Sequence, residues 1–195
     1  MKIKYIYDQK LMNGIFLALI PLIIPTNSIL SATIVAVSMI VVHILFNISL
    51  TLLNEKIINK PYFNLAKLSL NAIIPFVFGL VFSLIFKSYS SIIINLSCYV
   101  AISDILLNTT INTSFKDFKE NIKGCLPPIA ILSIILLITA FIRELIGWGS
   151  LFGFSLLIGN LKPIALFNQT AGGLLLLGII VALYSLLIKN NKEGE

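Results

Sequence analysis

The sequence predicts an all-α, polytopic membrane protein of six transmembrane segments, arranged as a 3+3 inverted repeat with short or broken first and fourth segments. Three observations carry this expectation. The first is composition: 58% of the 195 residues are hydrophobic, 11% are charged, and mean hydropathy is +1.02. Soluble domains carry about 25% charged residues, so this chain needs lipid as its solvent. The second is layout: apolar runs alternate with short polar loops, and no polar stretch is long enough for a separate soluble domain. The third is charge: of 14 Lys and Arg residues, only Lys87, Arg143 and Lys162 fall on one side of the alternating segments, and the rest fall on the other. Cytoplasmic loops carry the excess of cations. Both termini are therefore expected in the cytoplasm of a bacterial cell with this chain in its inner membrane. The net charge of +6 is read as topology, not as a nucleic-acid surface.

Residues 1–195 form a single membrane domain on this reading, with half one at about 11–86 and half two at about 91–188. Leu11–Pro25 is apolar but 15 residues long, whereas a crossing helix needs about 20. Pro21 and Pro25 interrupt it, so it reads as a broken or half-crossing helix and not as a cleavable signal. Asn27 and Ser28 are placed to cap the next element. Ile29–Leu53 is a full span, and Asn54–Lys67 a polar loop. Leu68–Phe86 spans again, with a kink expected at Pro75. Ser91–Leu107 is the second short segment, and Asn108–Lys123 a polar loop. Leu126–Ile142 spans with Pro127 and Pro128 in its first turn, and Arg143–Gly153 continues it. Phe154–Phe167 is irregular, and Thr170–Ile188 is the last span. Each half reads as one short segment and two long ones. Three crossings is an odd number, so the second half enters the membrane from the opposite side. Paired interrupted segments of this kind point to a site between the halves.

Few polar residues fall inside the spans. His43 and Asn47 share one face of the second span, together with Ala36 and Thr51. Polar side chains in lipid-embedded helices commonly bond a neighbouring helix, and that reading outweighs a proton relay, since the sequence identifies no acidic partner for His43. Asp104 lies three residues from its segment's end and is expected to reach cytoplasmic water. Cys98 lies about 12 Å into the fourth segment at 1.5 Å per residue, and a lone intramembrane cysteine usually packs as a small hydrophobe. Cys125 is expected just before the fifth span, at the cytoplasmic surface. Arg143 and Glu144 are adjacent and do not face each other on a helix. They are either an interfacial pair with a snorkelling Arg143 or a structural clamp or ion-path charge inside the membrane. Gly147, Gly149, Gly153, Gly172 and Gly173 permit close backbone approach or tight turns. There is no P-loop, dinucleotide fingerprint, HExxH or nucleophile motif.

The stretch Phe141–Gly153, FIRELIGWGSLFG, resembles the R-E-L-x-G-x-G-x-L-F-G signature of the integral membrane subunits of the Rnf/Nqr family. The matching residues are Arg143, Glu144, Leu145, Gly147, Gly149, Leu151, Phe152 and Gly153. These subunits belong to ion-pumping electron-transport complexes linked to NADH and ferredoxin or quinone. The resemblance implies inverted 3+3 halves, an inverted homologous partner, and other subunits that bind NADH and flavin. The inside N-terminus matches the E- or D-type subunit. It also implies two cysteines, one in each short segment, that hold one [2Fe–2S] cluster together with two from the sister subunit. Cys98 matches one of them, though Ser97 and Tyr99 replace the usual Asn and Ala beside it. The other position is Ile20, in Leu19-Ile20-Pro21-Leu22, and isoleucine cannot bind metal. Cluster ligation ordinarily needs four thiolates, and Cys125 stands roughly 10–15 Å from the depth of Cys98. The cluster is therefore expected to be lost, with completion by unusual ligands as the alternative.

The expected function is a non-catalytic membrane subunit of an Rnf/Nqr-type complex that couples electron transfer to Na⁺ or H⁺ movement. A small-solute transporter without redox chemistry is the alternative, favoured by Ile20 and by Asn95, Ser97 and Asp104. A scaffold that only assembles with partners is the third.

Overall fold

The computed structural model describes residues 9–57, 62–85, 87, 90–110, 118–151, 154–155 and 163–193. The helices are α1 (Gln9–Ile23), α2 (Ile29–Ile57), α3 (Phe63–Ile85), α4 (Ser90–Thr110), α5 (Phe118–Trp148), α6 (Ala165–Asn168) and α7 (Thr170–Glu193). Between α5 and α6 lies a two-stranded ribbon, β1 (Ser150–Leu151) and β2 (Phe154–Ser155), paired Ser150 to Ser155 and Leu151 to Phe154.

Among the described residues, three helices contain stretches long and apolar enough to cross a membrane: Ile29–Leu52, Leu65–Ile85 and Lys123–Trp148. The apolar stretches of the others are shorter: Leu11–Ile23, Ile93–Asn108 and Thr170–Leu186. Apolar side chains cover both the inside and the outside of the bundle. Ile15, Leu19, Leu22, Met39, Leu132 and Leu136 are fully buried, while Leu30, Leu52 and Leu84 are 65–75% exposed. A soluble helix confines its apolar residues to one stripe; a helix that is apolar all round belongs in lipid or a deep core.

Short α1 sits at the centre, packed by α4, α5 and α7. Its inner face presents Met12, Ile15, Leu19, Leu22 and Ile23, and its outer face Leu17 and Ile20, which is 3.6-residue periodicity. Helix α4 is packed by α3, α1 and α2. Long α2 packs on α5 and α3, and α5 also packs on α7. Ser103 of α4 donates its hydroxyl to the Ala18 carbonyl of α1 at 2.8 Å, and Asn108 of α4 donates Nδ2–H to Asn71 Oδ1 of α3 at 3.2 Å.

Several helix ends lie beyond their apolar stretches. Helix α3 starts at Phe63, not Leu68, and takes in Lys67; α4 runs to Thr110. Helix α5 starts at Phe118, so Pro127 and Pro128 lie inside the helix and not in its first turn. Hydropathy marks only the part of a helix that needs lipid, while backbone hydrogen bonding carries it on into water. This moves Cys125 from the expected surface position into the core, where it is 2% exposed. The start of α2 has a reciprocal cap. The Ser28 hydroxyl accepts from Ser31 N–H at 3.2 Å, and the Ser31 hydroxyl accepts from Ser28 N–H at 3.1 Å, the geometry of a capping box. Helix α5 ends at Gly149, whose φ of 63° is the left-handed conformation glycine adopts after a helix. Its N–H donates to the Leu145 carbonyl at 3.1 Å.

Candidate functional site

Two polar centres lie inside this apolar bundle. The first is Arg143, in the penultimate turn of α5, 1% exposed and the largest fully buried side chain. Its guanidinium spends all five N–H donors on backbone carbonyls. Nη1 donates to Ile23 at 2.8 Å and Thr26 at 2.6 Å, where α1 ends. Nε donates to Phe167 at 3.1 Å. Nη2 donates to Asn168 and Gln169, both at 3.3 Å, where α6 ends. The last carbonyls of a helix have no intrahelical partner and carry the negative end of its dipole. One cation therefore satisfies two chain breaks at once. Glu144 does the reverse job: its Oε2 accepts from Ile29 N–H at 2.7 Å, the first residue of α2, where a helix presents free N–H groups. Both side chains are turned into the protein, Arg143 onto carbonyls and Glu144 onto a helix start, so Arg143 does not snorkel.

Gly147 of the motif and two glycines of α7 make room for this node. A Cβ on Gly147 would sit 2.8 Å from Asn168 N and 3.1 Å from the Phe167 carbonyl carbon. On Gly172 it would collide with Leu166 O and come within 2.6 Å of Phe167 Cα. On Gly173 it would lie 2.5 Å from Ile23 Cγ2 and 3.0 Å from the guanidinium carbon of Arg143. Backbone neighbours cannot move aside as a side-chain tip can. We therefore expect Gly147→Ala and Gly172→Ala each to cost about 1–3 kcal/mol by overpacking. Gly178 has open space at the same construction, and Gly178→Ala should gain up to about 1 kcal/mol from helix propensity. Thermal unfolding midpoints in detergent for the three variants check the contrast. Phe152 and Gly153, the last residues of the motif, lie outside the described residues, as do Gly159, Asn160 and Lys162.

The second centre joins α2, α4 and α5. His43 Nδ1 lies 2.6 Å from Asp104 Oδ1, and both side chains are almost wholly buried. With the carboxylate ionised, the Nδ1–H donates to it. Asp104 thus does not reach water, and it is the acidic partner that the sequence alone did not identify for His43. Asn47, one turn on, donates Nδ2–H to the His43 carbonyl at 2.9 Å. His43, Asn47 and Cys125 line a cavity of about 10 Å³ closed by Ile40, Ile44, Leu126 and Ile129. Among the described residues, Asn47 Oδ1 and Asp104 Oδ2 are buried without a hydrogen-bond partner, and the Cys125 thiol stands beside the His43 ring as a weak partner. Lys67 on α3 is close enough for its charge to interact with both Asp104 and Cys125.

Thiol, imidazole and carboxylate in this order would suit acyl transfer. The cavity decides against it: small-molecule pockets run to about 300–1,000 Å³, and this one holds no more than a water.

Cys98 is exposed on α4, and Ile20 is 43% exposed on α1. Asn95 faces outward, and the Ser97 hydroxyl turns back onto the Ile94 carbonyl. Among the described residues no group of three or more His, Cys, Asp and Glu side chains is arranged to hold a metal ion. Ile20 has no donor atom, Cys98 lies on the outer surface of α4 and Cys125 is buried, so these three positions do not form one ligand set within this chain. A search against protein-family models and a search of curated proteins each return no match for this chain.

Proposed function

We propose that the chain is a six-span, 3+3 inverted subunit of the bacterial inner membrane, with both termini cytoplasmic, and that it works in an ion-translocating electron-transport complex of the Rnf/Nqr type. The observation that carries this reading is the Arg143 node. The motif that resembles the family supplies its clamp (Arg143), its helix cap (Glu144), its close contact (Gly147) and its turn (Gly149), all in one place. The residues that make the resemblance specific are thus the residues that hold the end of α1 and the α6–α7 turn together.

Helix packing supports the inverted repeat. Among the six longer helices, exchanging α1 with α4, α2 with α5 and α3 with α7 maps the packed pairs onto one another, while α5·α6 and α6·α7 have no counterpart. The pairs α1·α4 and α2·α5 map onto themselves, α1·α5 onto α2·α4, α3·α4 onto α1·α7, and α2·α3 onto α5·α7. A pseudo-two-fold axis between inverted halves would give such a pattern. The outward positions of Ile20 and Cys98 are where ligands shared with an inverted homologous subunit would stand. With Ile20 in one of them, the subunit contributes at most one thiolate, and its role is to form the membrane core and not to carry electrons.

Affinity purification of the tagged chain from native membranes under anaerobic conditions tests this. Homologous multi-pass subunits and redox-cofactor-bearing partners should co-purify, and Cys98→Ser should leave their association intact. A chain that purifies alone and free of iron would overturn the proposal. Ile20 would then favour the small-solute transporter, and uptake assays would follow.

A further inference from the structure

We propose that the cavity between α2, α4 and α5 holds one water molecule and that His43 is a proton-loading site within the helix core, taking its proton at Nε2. The inference stands on the geometry of the cavity and does not require the electron-transport reading.

Buried polar atoms are almost always bonded to protein or ordered water. Here Asn47 Oδ1 is buried and unpartnered among the described residues, the Cys125 thiol is a weak partner beside the His43 ring, and all three side chains line one cavity. Its volume of about 10 Å³ is the space one water needs, and a retained water needs two to four polar partners. A water there would donate to Asn47 Oδ1 and to the Nε2 lone pair and accept from the Cys125 S–H. A cation has less to hold it, because no three metal-ligating side chains converge among the described residues.

The step balances simply. A hydronium proton reaches the cavity, an N–H bond forms at Nε2 as one O–H bond breaks, and neutral water remains. The Nδ1–H stays on Asp104 throughout. The groups facing the ring are Asp104 from α4, Cys125 from α5 and, beyond them, Lys67 from α3. Loading turns an anion beside a neutral ring into a neutral ion pair. Buried charge is costly when unpaired and tolerable when paired, so Asp104 holds the loaded state in the apolar interior while Lys67 offsets the unloaded one. Unloading reverses the transfer through the same water.

The chain contains one histidine, so histidine labelled with nitrogen-15 gives the signal of His43 alone. The full chain in phosphatidylethanolamine–phosphatidylglycerol vesicles should show Nε2 passing from unprotonated to protonated as pH falls, with Nδ1 protonated throughout. A water-edited spectrum should show contact between Nε2 and a water. Asp104→Asn should lower the ring's proton affinity about tenfold or more. Asn47→Leu, which fills the cavity, should abolish the water contact while leaving Nδ1 on Asp104. If Asp104→Asn does not fold, the wild-type titration and Asn47→Leu still decide. A ring that keeps one protonation state at every pH where the protein is folded, or that lacks the water contact, would overturn the proposal and leave a dry structural bond.

Discussion

Arg143→Ala is expected to be among the most damaging single substitutions in the chain, at about 3–5 kcal/mol, the usual cost of removing one partner from a buried charged centre. Five backbone carbonyls on two segments would lose their donors together. Water cannot replace them, because Arg143 is 1% exposed and its surroundings are Ile23 and the α6–α7 turn. Arg143→Lys should recover only part of the loss. A lysine ammonium has three donors at one point, whereas the carbonyls of Ile23 and Phe167 lie on opposite sides of a planar fork. The readout is the thermal unfolding midpoint in mild detergent together with the yield of monodisperse protein. Retention of wild-type stability by Arg143→Ala would mean that the node does not hold α1 and α6 in place.

The second large effect concerns His43 and Asp104. Asp104→Leu alone should cost about 3–5 kcal/mol, because it leaves a buried imidazole without its partner. The double variant His43→Leu with Asp104→Leu should regain most of that stability, since an apolar pair often replaces a buried ion pair at no net cost. A double-mutant cycle on unfolding midpoints measures the coupling. If the double variant is as stable as the wild type, the pair is not needed for stability. If the two single losses simply add, His43 and Asp104 do not depend on each other.

The helices were legible in the sequence because lipid demands long apolar runs, and each expected segment has a helix within it. Ends were less legible. Phe63–Lys67 and Phe118–Cys125 are polar enough to read as loop, yet they are helical turns continuing beyond the apolar stretches. That error put Cys125 at the surface and hid its place beside His43. The pairing of His43 with Asp104 was legible in principle. Each lies 14 residues past the first residue of its helix, Ile29 or Ser90, and alternating spans send those two helices in the same direction, so both fall at one depth. What the sequence could not supply was the neighbourhood of α2 and α4, which depends on how the helices pack. Arg143 shows the opposite limit. Its position at a span's end favoured an interfacial cation, but α5 runs on to Trp148, and the two broken segments bring their orphan carbonyls inward to meet it.

The arrangement of two inverted halves is the claim on which the rest depends. Reporter fusions after residues 60, 88, 115, 160 and 195 test it most directly, each read by a cytoplasm-active and an exterior-active enzyme. The account predicts cytoplasmic activity at 60, 115 and 195 and exterior activity at 88 and 160. Residues 60 and 160 reporting from the same side would contradict the inversion.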